Sequence, residues 1–194
     1  NWAKNKNWKW SADFLIGKQL TGSRLGILGM GRIGRAVAER AKAFGMKIHY
    51  HNRTRLKPDL ELGAQYHDNI KSLFSESDVL SINCPATEKT KNIINKKTLE
   101  YFPDGAIITN SARGDMIEDE AMVDALKKRK IYALGLDVYK GEPDIHAGYL
   151  NQSNVFVLPH LGSATKKTRT DMANLAIDNI EEFFNTGKCK NKVN

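Results

Sequence analysis

Cysteine is scarce in this chain: of 194 residues only Cys84 and Cys189 carry a thiol. They lie far apart, in no Cys-x-x-Cys pair and at no Cys/His ligand spacing. Neither a disulfide framework nor a zinc site is indicated, and a reducing cytoplasm is the expected setting. Long apolar runs are also missing. The longest, Tyr132 to Leu136, is broken by Gly135, far short of the roughly 18 residues a spanning helix needs. The first ten residues hold charges and tryptophans but no apolar core and no small-residue cleavage site, so no secretory signal is expected. An initiator methionine is lacking too, which points to a processed or truncated chain. Internal repeats, low-complexity tracts and linkers are absent, and one domain is the economical count.

What is present describes a packed domain. Hydrophobic residues make up 41% and charged residues 27%, near the average for soluble globular chains and far from the composition of disorder. The formal net charge is +8. Its lysines are scattered over nearly every segment, and the longest basic run, Lys127 to Lys130, sits where a helix is expected to end and cations suit the dipole. No basic stripe is interleaved with aromatics, so the charge reads as solvated surface rather than as a nucleic-acid face.

Short β-branched or apolar runs alternate with helical periodicity through most of the chain, the pattern of a doubly wound parallel α/β sheet. Strands are expected at Arg24–Leu28, Lys47–Tyr50, Val79–Asn83, Ala106–Thr109, Ala133–Asp137 and Val155–Leu158. Ile33, Val37, Ala41 and Phe44 repeat at helical spacing, as do Met122, Val123 and Leu126. Thr168 to Thr186 reads as one amphipathic helix stopped by Gly187, with Met172, Leu175, Ala176, Asn179, Ile180 and Phe183 on one face. Residues 1–20 form a flanking aromatic arm or linking helix in this reading.

The first expected strand runs straight into Gly29-Met30-Gly31-Arg32-Ile33-Gly34, and helical periodicity begins at Ile33. In that context the three glycines have separate duties: Gly29 makes the turn, Gly31 lets a pyrophosphate approach the backbone, and Gly34 lets the helix pack on the strand. Helix N-terminal amides then hold the phosphate charge. After the second strand, where a carboxylate would bind the ribose 2′-hydroxyl of NAD, the sequence reads Asn52-Arg53-Thr54-Arg55 with no acid. Arg53 and Arg55 can grip a 2′-phosphate through charge-assisted forks, so NADP is the expected coenzyme. The same turn also reads as a solvated surface, in which case NAD is accepted as well.

Three further segments follow expected strands: Thr109 to Asp115 with Ser111-Ala112-Arg113-Gly114, Gly135 to Pro143 with Asp137 and Glu142, and Leu158 to Ala164 with His160, Gly162 and Ser163. Open α/β sheets bind ligands at strand ends. A guanidinium, a carboxylate and an imidazole there equip a site for hydride transfer to a 2-oxo acid. Arg113 anchors the substrate carboxylate, His160 donates a proton to the carbonyl oxygen, and Glu142 orients the imidazole and favours its charged form.

This ordered set, GxGxxG, Ser-Ala-Arg-Gly-Asp, Leu-Asp-Val, Glu-Pro and Pro-His-Leu-Gly-Ser-Ala, resembles the NAD(P)-binding Rossmann domain of the D-isomer-specific 2-hydroxyacid dehydrogenases over nearly the whole chain. The resemblance implies that His160 is the acid/base, Glu142 its partner and Arg113 the substrate anchor. It places Asp137 at the nicotinamide carboxamide, Arg32 and Ile33 at the pyrophosphate, the backbone of Cys84-Pro85 under the adenosine ribose, and Ala112, Gly162 and Ser163 in the coenzyme-lining backbone. Among family branches the Asn-Arg-Thr-Arg turn is most similar to glyoxylate/hydroxypyruvate reductases, where a tryptophan placed like Trp10 reaches the partner subunit's substrate pocket. Formate and phosphite dehydrogenases share the catalytic set, phosphoglycerate dehydrogenases usually carry an Asp after the second strand, and some relatives are dinucleotide-sensing corepressors. The family habit implies a homodimer through this domain. It also implies a substrate domain whose N-terminal segment is not in this chain, and toward which residues 187–194 would return.

Overall fold

In the computed structural model, residues 4, 5, 10–14 and 16–192 are described. Seven parallel strands form one sheet: β1 (Arg24–Leu28), β2 (Lys47–His51), β3 (Gln65–Tyr66), β4 (Val79–Ile82), β5 (Ala106–Asn110), β6 (Ile131–Leu136) and β7 (Val155–Val157). Their order is β3-β2-β1-β4-β5-β6-β7. Crossovers carry α1 (Arg32–Ala43), α2 (Ile70–Ser75), α3 (Lys96–Leu99), α4 (Asp119–Lys127) and α5 (Ala147–Leu150), and α6 (Lys166–Thr186) follows the last strand. The order reverses between β1 and β4. That reversal opens a crevice at the C-terminal ends of the strands, the position where such sheets bind ligands.

Strands β1, β2 and β4 carry buried residues in succession rather than alternation, as in Leu25 to Leu28, because a parallel sheet is covered on both faces. One core gathers Leu25, Ile27, Ala38, Ala41, Ile48 and Tyr50 around β1, β2 and α1. A larger one gathers Leu80, Ile82, Ile108, Met122, Leu134 and their neighbours around β4 to β6. The sheet is also pinned electrostatically. The guanidinium of Arg24, at the start of β1, donates to Asp78 at 2.8 and 3.1 Å and to Glu76 at 2.6 Å, locking it to the loop that enters β4.

The expected strands form with ends shifted by one or two residues, β6 starting earlier at Ile131. The two-residue β3 gave no periodic signal to read. Periodicity misplaced the inner face of α1. Gly34, Ala38 and Ala41 are buried, while Phe44 is exposed and Ile33 is 67% exposed. The glycine loop fixes this rotation, because Gly34 has to lie against β1. An added Cβ on Gly34 would sit 2.4 Å from the Gly29 carbonyl oxygen. Among the described residues of 1–20 there are turns and irregular chain but no helix; Trp2 and Trp8 lie outside them. Helix α6 is capped by Thr165, whose side chain accepts from Thr168 N–H, and by Gly187 at φ 68°. Its apolar face, including Met172, Leu175, Ile180 and Phe183, is not covered.

Two buried histidines join β2 to the segments beyond it. His49 Nδ1 lies 2.9 Å from His67 Nε2, and His67 Nδ1 lies 2.7 Å from Ser72 Oγ. Burial pushes both imidazoles below their ordinary value, and mutual repulsion lowers His49 further, while Glu76 pulls both the other way. Asp78 also raises His49 and Asp68 raises His67, against Arg24 and His51. The unfolded chain therefore binds more protons than the folded one just below pH 6.5, the unshifted histidine value. Stability is expected to be full above that pH and to fall as the solution is acidified through it. Urea denaturation at stepped pH checks this. The double replacement His49→Gln with His67→Gln should flatten the slope, and an unchanged slope refutes the assignment.

Candidate active site

Between β1 and α1 the chain makes a turn that only glycine can make. Gly29 has φ 95°, and a Cβ there would lie 2.5 Å from the backbone nitrogen of Cys84, so the glycine turn rests directly on the Cys84-Pro85 loop after β4. Gly31 is different. Its φ is −77° and an added Cβ would meet no protein atom within 4 Å. Packing therefore does not demand glycine at 31, whereas a ligand lying on the backbone would. Gly31 is also the N-cap of α1 and supplies no side-chain acceptor, and the first turn of the helix holds no acid. The first amides of a 12-residue helix thus face the crevice with the positive end of its dipole. Arg32 and Ile33 are exposed at this rim. The residues present fit the pyrophosphate of a dinucleotide.

Beyond β2, Asn52 is turned inward. Its Oδ1 accepts the Met30 N–H at 2.6 Å, tying the strand end to the glycine loop. Arg53 and Thr54 are exposed, and Arg53 has no side-chain partner among the described residues. Arg55 is paired with Glu61, Nε to Oε1 at 2.7 Å and Nη2 to Oε2 at 3.2 Å. Tyr50 Oη donates to the same Glu61 at 2.6 Å. Burial first, and then that carboxylate, push the phenol up to about 12.

The three residues expected to be catalytic follow the ends of β5, β6 and β7. His160 Nδ1 meets Glu142 Oε2 at 2.7 Å. With Nδ1–H donating there, Nε2 is the nitrogen free for a substrate. This bond, followed by the Tyr139 amide at 3.0 Å on Oε1, holds the Glu142 carboxyl below its ordinary value. Arg113 is exposed at the end of the β5 loop and contributes a weaker lowering of the same carboxyl. His160 itself has φ 53°, a left-handed backbone that a non-glycine residue seldom takes.

Buried groups make these exposed positions possible. Asp137, at the end of β6, accepts Leu161 N–H at 2.6 Å on one oxygen and Gly162 N–H at 2.8 Å on the other. The residue expected at the nicotinamide thus also anchors the loop that carries His160. Asn110 shapes the loop of Ala112 and Arg113 by accepting Ala112 N–H at 3.0 Å and donating to the Arg113 carbonyl at 2.8 Å. A Cβ on Gly114 would lie 1.9 Å from the Tyr139 carbonyl carbon, so this loop packs on the segment leading to Glu142. Tyr139 Oη donates to the Leu158 carbonyl at 2.5 Å, and Ser163 accepts Arg169 Nε on its carbonyl at 3.1 Å. Sequence reading missed Asn110, Tyr139 and Glu61 as contributors. The first two had a signal, since both lie at strand ends inside the motif segments. The glycine loop, Cys84, Arg113, Asp137, Glu142 and His160 thus lie at or just beyond the C-terminal ends of the strands, whereas Arg55 turns to Glu61 and Trp10 is 83% exposed on the N-terminal arm. Among the described residues no cluster of His, Cys, Asp or Glu could hold a metal ion, and no helix is long and apolar enough to cross a membrane.

A parallel sheet with a glycine turn at its reversal and a His–Glu pair beside an arginine defines a dinucleotide-binding domain of dehydrogenase type. Comparison with known proteins makes it specific. The family described as D-isomer specific 2-hydroxyacid dehydrogenase, NAD binding domain, matches residues 1–162, and the chain belongs to that family. Similar proteins include 4-methyl-2-oxopentanoate reductase A of Aspergillus oryzae, 44% identical over 180 residues, or 93% of this chain and 54% of that one. Glyoxylate reductase 1 of Saccharomyces cerevisiae is 42% identical over 168 residues, 86% of this chain and 48% of that one. Among solved structures, a glyoxylate reductase from Paecilomyes thermophila superposes with a TM-score of 0.92 at 41% identity, over 99% of this chain and 58% of that one. An NADPH-dependent glyoxylate/hydroxypyruvate reductase from Sinorhizobium meliloti, in complex with NADP and malonate, gives 0.85 at 33% identity, over 97% of this chain and 57% of that one. The chain spans about half the length of the curated relatives it matches.

The glycines separate packing from binding in a testable way. Gly29→Ala should cost at least about 2 kcal/mol of stability, from the left-handed backbone and the contact with Cys84. Gly31→Ala should leave the melting temperature nearly unchanged and weaken dinucleotide binding roughly tenfold by lifting the phosphate off the backbone. Calorimetry and nucleotide titration read the two effects, and a Gly31→Ala protein with wild-type affinity refutes the placement.

Proposed function

We propose that this chain is the coenzyme domain of an NADPH-preferring oxidoreductase that reduces a small 2-oxo acid, glyoxylate or hydroxypyruvate, to the D-2-hydroxy acid. The observation that carries the reading is the 2.7 Å His160–Glu142 pair beyond the ends of β6 and β7, on the same edge of the parallel sheet as the glycine loop. When bound, the reduced nicotinamide supplies a hydride. The chain's own residues supply the rest. Arg113 holds the substrate carboxylate by a two-point charge-assisted contact, which fixes which face of C2 is presented. Nε2 of the imidazolium gives its proton to O2 as that oxygen gains charge, and becomes neutral. Glu142, kept ionised by its bond to His160, fixes the orientation of the ring and keeps Nε2 turned to the substrate. Two cationic groups around the developing alkoxide lower its energy where water would have to reorganise.

NADPH preference is supported by the end of β2. No acid follows that strand, Asn52 is occupied with Met30, and Arg53 stands exposed without a partner among the described residues. The Sinorhizobium meliloti neighbour, solved with NADP, is consistent with this. NAD use at lower affinity belongs to the same reading. Exposed Trp10 and Ile16 on the N-terminal arm support a homodimer in which this arm meets the partner subunit.

In the intact protein, His160→Ala should lower turnover with glyoxylate by roughly 10² to 10⁴ while sparing coenzyme binding. Survival of turnover would remove the proton-donor role. The wild-type dissociation constant for NADPH should be lower than that for NADH, and Asn52→Asp should narrow the gap by repelling the 2′-phosphate; equal wild-type constants refute the preference.

A further inference from the structure

We propose that Glu61 is a specificity-determining residue: it draws Arg55 away from the coenzyme's 2′-phosphate and leaves Arg53 as the cation that recognises it. The inference rests on the NADPH reading above and divides the labour between two arginines that look equivalent in the sequence.

The sheet order supplies the direction. β2 lies between β1 and β3. Asn52 turns towards β1, where it holds the glycine loop at Met30. Arg55 turns the other way. Its guanidinium carbon stands 5.4 Å from the centre of the Tyr66 ring, on the edge strand β3, and its fork closes on Glu61. Arg53, between these opposed anchors, stays with the turn next to the nucleotide loop.

Glu61 is the fixed member of the pair. Its side chain is 10% exposed against 62% for Arg55. Tyr50, wholly buried beneath it, donates to Oε1 at 2.6 Å and is itself placed by accepting the Leu56 N–H at 3.2 Å. A carboxylate held from below cannot follow a departing arginine without losing the Tyr50 bond inside the core. So the mobile partner comes to the fixed one. Two arginines in the sequence then present one uncompensated guanidinium to a ligand. Glu61 lies nine positions after Asn52, outside the segment in which an acid facing the ribose would be sought. It tunes the site by neutralising a competitor rather than by touching the ribose.

A 2′-phosphate and Glu61 compete for the same guanidinium. Because the bridge is half open to solvent, its hold is modest and the effect of releasing it is correspondingly modest. The test is nucleotide titration of the intact protein with NADPH and NADH, for wild type, Arg53→Ala, Arg55→Ala, Glu61→Gln and the double variant Glu61→Gln with Arg55→Ala. Glutamine keeps an oxygen for Tyr50 and removes the charge. Glu61→Gln should tighten NADPH about two- to fivefold and leave NADH unchanged. The double variant should lose that gain. Arg53→Ala should weaken NADPH about tenfold or more, and Arg55→Ala by less than about threefold. If Glu61→Gln weakens NADPH or leaves it unchanged, or if Arg55→Ala costs as much as Arg53→Ala, the proposal is overturned. The wild-type NADPH/NADH ratio judges the coenzyme preference separately. A wild type that prefers NADPH and whose Glu61→Gln variant binds it no more tightly would uphold that reading and refute this one.

Discussion

The site depends on one close approach, Gly29 on the backbone of Cys84. It lies where the strand order reverses, so the loops after β1 and β4 leave in opposite directions and meet at this point. A side chain there would force them apart and displace the start of α1, whose amides face the same crevice. The rest of the geometry follows from that contact. Gly34 is pressed against the carbonyl of Gly29, which fixes the rotation of α1. Asn52 ties the end of β2 to the same turn by accepting the Met30 N–H.

Around this point the molecule separates two kinds of polar residue. Arg113, Glu142 and His160, the groups that would meet substrate, are exposed. Asn110 and Asp137, which aim them, are buried and fully engaged with backbone amides and carbonyls. Tyr139 belongs with the second group, joining the Glu142 carboxylate to the strand that leads to His160. An exposed group keeps its water until a ligand arrives, and a buried one has to be satisfied from the moment of folding. The aiming groups are therefore part of the fold's stability, and the reacting groups are nearly independent of it.

This separation explains what the sequence made legible. The alternation of strands and helices, the glycine loop and the order of Arg113, Glu142 and His160 could be read because each is tied to a local pattern: a period, a turn residue or a motif after a strand. The covered face of α1 could not, since Ile33 and Phe44 fit helical spacing as well as Ala38 and Ala41 do, and the choice between them is made by a tertiary contact at Gly34. Nor could the pairing of Arg55, whose partner lies across a turn and whose support, Tyr50, comes from the far face of β2. Reading Arg53 and Arg55 as equals was the natural outcome of a one-dimensional view. The His49–His67 pair escaped for the same reason, being a contact between segments with no motif in either.

The left-handed backbone of His160 narrows what this position can become. Glycine and asparagine enter that region readily, while β-branched residues do so only under strain. A survey of substitutions at 160 would therefore sort the residues twice, once by whether they can carry a proton and once by whether the chain can hold them. Replacements that abolish the chemistry would differ among themselves in stability for a reason unrelated to imidazole. Variation among relatives at such a position is thus confined by geometry even where the reaction has been given up.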